Sequence, residues 1–173
     1  MIINHAVLKK ISNLDGQTCF GCGETNPIGL QMQFLSDGQR VYSFVTVPPT
    51  MAGWDQTVHG GILSTILDEI MGWSVIYLLK KIGVTKSITV DFIKPVRVGK
   101  RLTVVGAIEE MHSDRHVMVT GEIYSDEDML CAKAQGKFVA MSTQAAVRLG
   151  VMSSEYMERF VPILHQNEGR ERS

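Results

Sequence analysis

At 173 residues, 45% apolar and 20% charged, the chain has the size of one domain and a composition that excludes disorder. A formal net charge of −1 excludes a global electrostatic field for nucleic acid. The apolar runs are interrupted short of the ~20 residues that a membrane span needs, and Lys9 and Lys10 follow the first apolar residues instead of preceding them. The expectation is a cytoplasmic protein with neither a nucleic-acid nor a membrane partner.

Residues Ile3 to Leu14 place Val7, Leu8, Ile11 and Leu14 at helical spacing, which predicts a short amphipathic lead-in helix. Cys19-Phe20-Gly21-Cys22 follows. A closed zinc site takes four Cys or His ligands, but the chain has no second such pair, so His5 or His59 would have to contribute. A redox pair belongs beside a βαβ pattern, which does not follow. No metal and no cofactor are expected, and the glycine-rich stretch to Gly29 reads as a tight turn into the first strand.

Leu30, Met32 and Phe34 alternate with Gln31 and Gln33, a half-buried strand ending at Ser36-Asp37-Gly38, and Arg40 to Val47 returns to complete a hairpin. Pro48-Pro49 stops the ladder, and Thr50 to Val58 reads as a loop. From Gly60 to Lys81 the pattern is helical and apolar around most of its circumference, which predicts burial. Ser87 to Lys94, Arg101 to His112, Arg115 to Ser125 and Met129 to Ser142 then alternate as strands. The fold class is α+β, an antiparallel sheet of about six strands wrapped around one long central helix. Ser153 or Ser154 caps a short helix through Phe160 that stops near Pro162, and His165 to Ser173 reads as a tail. The expected divisions are 1–29, a lead-in helix and Cys/Gly turn; 30–145, the main domain; and 146–173, a helix and tail.

The chemistry gathers at His59-Gly60-Gly61 and the helix it opens. Helix N-termini carry backbone N–H groups without intrahelical partners, and two glycines let a substrate oxygen approach them. The pair serves either as a sharp turn or as an oxyanion hole for a carbonyl under attack. Asp68 stands in an apolar pattern where a carboxylate is costly to bury. It shares a sector with the mostly small Ser64, Thr65, Gly72 and Val75, so it either bonds a nearby hydroxyl or faces a ligand or another subunit. Glu69 lies in a more crowded sector with Ile62, Thr65, Trp73 and Ile76, as a supporting group. Gly60 and Asp68 are eight residues apart, ~12 Å along a helix axis. If both act on one carbonyl carbon, they come from different subunits, which predicts an oligomer.

His59-Gly60-Gly61 with Asp68, the strand Thr85-Lys86-Ser87-Ile88-Thr89-Val90-Asp91-Phe92-Ile93-Lys94-Pro95, and the lead-in from Cys19 through Asn26-Pro27-Ile28-Gly29-Leu30 together resemble the hot-dog-fold acyl-CoA thioesterases of the phenylacetate-pathway and thioesterase-superfamily-member type. The resemblance implies a hot-dog fold over roughly Cys19 to Ser142. It implies an acyl-CoA substrate and a homodimer, or a homotetramer of hot-dog dimers, with sites at the dimer interface. Asp68 is then the general base or nucleophile, Gly60 N–H polarises the carbonyl, and His59 orients that loop or touches the substrate. Thr85 falls where relatives hold the attacking water. Gln56 stands in for an Asn or Gln that some relatives carry before the His-Gly-Gly. Gly61, Gln56, Glu69 and Trp54 are the implied substrate contacts. Apart from the resemblance, Trp54, Met71, Trp73 and the methionines read either as the lining of an adaptable apolar pocket or, for most Met residues, as core filler. Lys94, Arg97, Lys100 and Arg101 read as a solvated turn or as phosphate contacts. The rival readings are a hot-dog module that holds an acyl thioester without turnover and a hot-dog dehydratase, whose acid and histidine pattern is not evident.

Overall fold

The computed structural model describes residues 7–166. Seven strands, β1 (Lys9–Ile11), β2 (Phe34–Ser36), β3 (Val41–Thr46), β6 (Ile82–Phe92), β7 (Arg101–Met111), β8 (His116–Tyr124) and β9 (Leu130–Met141), form one sheet in the order β1-β2-β3-β7-β8-β9-β6. Every pairing in it is antiparallel. A two-stranded ribbon, β4 (Ala52–Trp54) and β5 (Thr57–Val58), precedes the long helix α1 (Gly60–Leu79). Helices α2 (Thr143–Arg148) and α3 (Ser154–Leu164) end the described chain.

The sheet wraps α1, which lies against β6, β7, β8 and β9. Ile66, Leu67, Ile70 and Met71 are fully buried, and each such side chain contributes roughly 1.5–3 kcal/mol of transfer free energy. By length and composition α1 would pass for a membrane span, contrary to the expectation from the interrupted runs. Its packing is that of a core helix. Four strands each present a glycine to it. A Cβ on Gly106 of β7 would sit 2.4 Å from Ser74 Oγ and 2.8 Å from the Ile70 carbonyl oxygen. Gly83, Gly121 and Gly136 meet Val75, Leu67 and Met71 in the same way, so the helix rests in a glycine-lined trough. Trp73 stacks on Phe34 with ring centroids 4.8 Å apart. Its other side faces Phe160, which with Met157 and Leu164 carries α3 in a second apolar cluster.

The structure departs from the sequence-based expectations in several places. Lys9–Ile11 is a strand that pairs with β2 and turns Ile11 inward, where a helix was expected; residues 3–6 of that expected helix lie outside the described residues. Leu30 and Met32 are buried as the alternation predicts, yet their N–H groups donate to the carbonyls of Phe20 and Gly21 in the cysteine turn, leaving only Phe34–Ser36 in the ladder. The loop before α1 contains the β4–β5 ribbon. Ser142 caps the unforeseen α2, its Oγ accepting from Ala145 N–H. Ser153 caps α3, which runs past Pro162 to Leu164; so near the C-terminus, the missing N–H costs one bond. The expected tail beyond residue 166 lies outside the described residues.

Candidate active site

Asp68 projects from the middle of α1 toward β6, where Thr85 Oγ1 donates to Asp68 Oδ1 at 2.7 Å. Both residues are half-buried. Strand β6 follows α1 directly and returns alongside it, with Gly83 against Val75, Thr85 against Asp68 and Phe92 against Gly60. One turn further along the helix, Gly72 leaves open space: a Cβ there would meet nothing within 4 Å. Ser64 and Thr65, the small neighbours one turn before, return their hydroxyls to the carbonyls of Gly60 and Gly61 and do not compete for the carboxylate.

At the start of α1, His59 is the N-cap. Gly61 N–H donates to His59 Nδ1 at 2.9 Å, which leaves Nε2 as the protonated nitrogen of the neutral ring. Ile62 and Leu63 donate to the His59 carbonyl, and His59 N–H to the Met51 carbonyl. Gly61 N–H is thus committed to the cap. Gly60 N–H has no such partner among the described residues, and it opens on a pocket of about 320 Å³ lined by Val58, Leu63, Phe92, Lys94, Pro95 and Val96, among others. The rim is held by Val58 N–H donating to the Val96 carbonyl and Val98 N–H to the Gln56 carbonyl.

The remaining sequence candidates fall in different places. Trp54 is 86% exposed on the β4–β5 ribbon, and Gln56 is exposed at its turn. Met71 and Trp73 are core residues, which decides between the two readings in favour of core filler: the helix face that carries them points into the sheet. Glu69 points away from Thr85, into a buried corner beside the cysteine turn. There Trp73 Nε1 donates to Glu69 Oε1 at 3.2 Å, and Cys19 Sγ lies 3.8 and 3.9 Å from the two carboxylate oxygens. Burial, reinforced by negative charge at Cys19, pushes the Glu69 carboxyl up to about 7. Hydrogen bonding from Cys22, outweighing burial, lowers the Cys19 thiol to about 5, while Cys22 is raised. Of the basic cluster, Lys94 borders the pocket, Lys100 pairs with Asp126 at 3.4 Å, and Arg101 lies over the Phe44 ring. Sequence reading missed the meeting of Cys19, Cys22 and Glu69, and it missed Phe92 as the wall facing Gly60. Both are contacts across the fold that no local pattern announces.

A model of the Thioesterase superfamily matches residues 55–132. An uncharacterized protein of Schizosaccharomyces pombe is 31% identical over 107 residues, 58% of this chain and 61% of that protein. A solved thioesterase superfamily protein is 24% identical with a TM-score of 0.65, covering 70% of this chain and 59% of the other. A hypothetical thioesterase protein of Streptococcus pneumoniae TIGR4, solved with coenzyme A, is 23% identical with a TM-score of 0.57, covering 61% of this chain and 80% of the other. The same protein has been solved with an aspartate or a threonine replaced by alanine. The chain spans less than two thirds of the length of the first two of these relatives. Residues 55–132 match the Thioesterase superfamily model, and the antiparallel sheet wrapped around one long helix is the hot-dog fold of the solved neighbours.

Proposed function

We propose that this protein hydrolyses acyl-CoA thioesters to free acid and CoA, with Asp68 as general base and Gly60 N–H as the carbonyl's hydrogen-bond donor. The observation that carries this reading is the 2.7 Å bond from Thr85 to Asp68 on a half-buried face flanked by open space at Gly72. A carboxylate in an apolar helix is costly, and a hydroxyl that fixes one of its oxygens aims the other. Asp68 takes a proton from water as the water oxygen bonds to the thioester carbon, and the carbonyl electron pair moves onto oxygen, facing Gly60 N–H. The intermediate then re-forms C=O and breaks the C–S bond, and the CoA sulfur leaves with the proton returned by Asp68. A CoA-bound relative and relatives altered at an aspartate and a threonine are in keeping with these roles.

Gly60 and Asp68 lie ~12 Å apart along α1. One site therefore takes Gly60 from one subunit and Asp68 from its partner, in a homodimer or a tetramer of such dimers. Support comes from β6, an eleven-residue strand at the sheet edge whose open ladder invites pairing. In this arrangement His59 orients the donor loop, Lys94 at the pocket rim meets a CoA phosphate, and Trp54 and Gln56 flank the acyl entrance. The enzyme works in the cytoplasm, where acyl-CoA is its only partner besides its own copies. The test is release of free thiol from acyl-CoAs of several chain lengths, followed with a thiol reagent. Release by the wild-type protein supports hydrolysis; binding without release at every chain length replaces it with the holding module.

A further inference from the structure

Beyond thioester hydrolysis, and independent of it, we infer that Cys19, Cys22 and Glu69 bind one divalent cation of the zinc class, through two thiolates and a carboxylate. The site ties the N-terminal turn to the central helix. One ligand atom from each residue lies within 4.8 Å of the others, although Cys19 and Glu69 are 50 positions apart in the chain. Ligands around a tetrahedral zinc, at ~2.3 Å for sulfur and ~2.0 Å for oxygen, stand roughly 3.5–3.8 Å from one another. Cys19 Sγ and the Glu69 oxygens are already at 3.8 and 3.9 Å, so closure onto a cation needs only small side-chain movements.

Three features show a corner built for this contact. The turn folds back on itself, with Gly23 N–H donating to the Cys19 carbonyl at 2.9 Å, which brings Cys19 and Cys22 to the same side of the Cys-x-x-Cys-Gly turn. The absence of a side chain at Gly21 is what lets the Glu69 carboxylate reach the turn, because a Cβ there would displace it. Glu69 itself is deeply placed, with the Trp73 indole and the cysteines around it and no Lys or Arg ion pair among the described residues. An outer layer is also present: Gln17 Nε2 lies 3.6 Å from Cys22 Sγ, and Gln17 Oε1 accepts from the Tyr156 hydroxyl of α3.

The expectation of no metal counted only Cys and His. The third ligand that the fold supplies is a glutamate, whereas His59 is engaged at the helix cap and His5 lies outside the described residues. Sulfur and oxygen donors together favour zinc or cobalt over magnesium or calcium. On binding, two metal–sulfur bonds and one metal–oxygen bond form, and the protons held by the thiols and carboxyl pass to solvent.

The test titrates the full chain, purified reduced and stripped with a chelator, with Co2+ alone and then with Zn2+. The expected result is one equivalent of Co2+ per chain with a near-ultraviolet thiolate-to-cobalt absorption that Zn2+ abolishes, and a Tm raised by Zn2+. Glu69→Gln, which keeps the side-chain shape, should weaken cobalt affinity at least tenfold with an unchanged circular dichroism spectrum, and Cys22→Ser should abolish the band. A reduced wild-type chain without a thiolate band overturns the proposal, as does a Glu69→Gln variant that binds cobalt as tightly as wild type.

Discussion

Thr85 and Asp68, 17 positions apart, meet through a 2.7 Å hydrogen bond that fixes one oxygen of the carboxylate. This contact spans α1 and β6, so it sets the aim of the carboxylate relative to the sheet. Thr85→Ala should lower kcat by about 10- to 100-fold with KM little changed, because it frees the base without deleting it. Thr85→Ser should restore most of the loss. Steady-state kinetics on acyl-CoA separates these outcomes; a KM effect alone would make Thr85 a substrate contact.

Gly60 tests the other half of the site. A Cβ there would meet Phe92 Cζ at 3.4 Å, ordinary van der Waals contact, so Gly60→Ala should fold with an unchanged or slightly raised Tm. It should still lose activity, because the methyl group stands where the carbonyl oxygen approaches the N–H. Mixing inactive Gly60 and Asp68 variants under subunit exchange should recover about a quarter of wild-type activity, since half the dimers are mixed and each carries one intact site. Recovery of nothing would place both groups in sites of their own subunit.

The glycine trough makes a stability prediction. Gly106→Ala drives a Cβ against a backbone carbonyl and the Ser74 hydroxyl and should cost about 1–3 kcal/mol, read as a fall in Tm or denaturation midpoint. Gly121→Ala meets only side-chain atoms, at 3.1 Å and beyond, and no backbone, and should cost less. Equal costs would mean that α1 can shift on the sheet.

Asp37 carries an acid-side pH dependence. Burial alone would raise its carboxyl, but hydrogen bonds from the N–H groups of Arg40 and Gln39 and from the Tyr42 hydroxyl outweigh it and hold it below its ordinary value. A carboxyl lowered on folding stabilises above its unfolded pKa of about 3.9 and loses that contribution as pH falls through the lower folded value. The Tm difference between wild type and Asp37→Asn should therefore be steady near neutrality and shrink below about pH 4.

The elements legible in the sequence were those with long, self-consistent patterns. The apolar circumference from Gly60 defined α1, and strict alternation defined β7, β8 and β9 to within a residue or so. Short elements escaped. Lys9–Ile11 has too few residues to show a strand period, and its ladder partner lies beyond the cysteine turn. The six residues of α2 carry little periodicity apart from the Ser142 cap. The site was legible in parts for the same reason. Asp68 stood out as a lone charge in an apolar helix, and Gly60 as a helix start, both local signals. Thr85 was reached only through family resemblance, because its meeting with Asp68 depends on how β6 returns along α1. Glu69, read as part of the substrate site, faces the cysteine turn instead, since the ~100° between successive helix residues sends it to a different side from Asp68.

The most direct measurement is acyl-CoA hydrolysis by Asp68→Asn beside wild type, with Tm recorded for both. Asparagine keeps the oxygen that accepts from Thr85 but cannot take a proton from water. The expected result is a loss of kcat of at least about 100-fold with Tm nearly unchanged. Full activity in Asp68→Asn would contradict it and move the base to another residue.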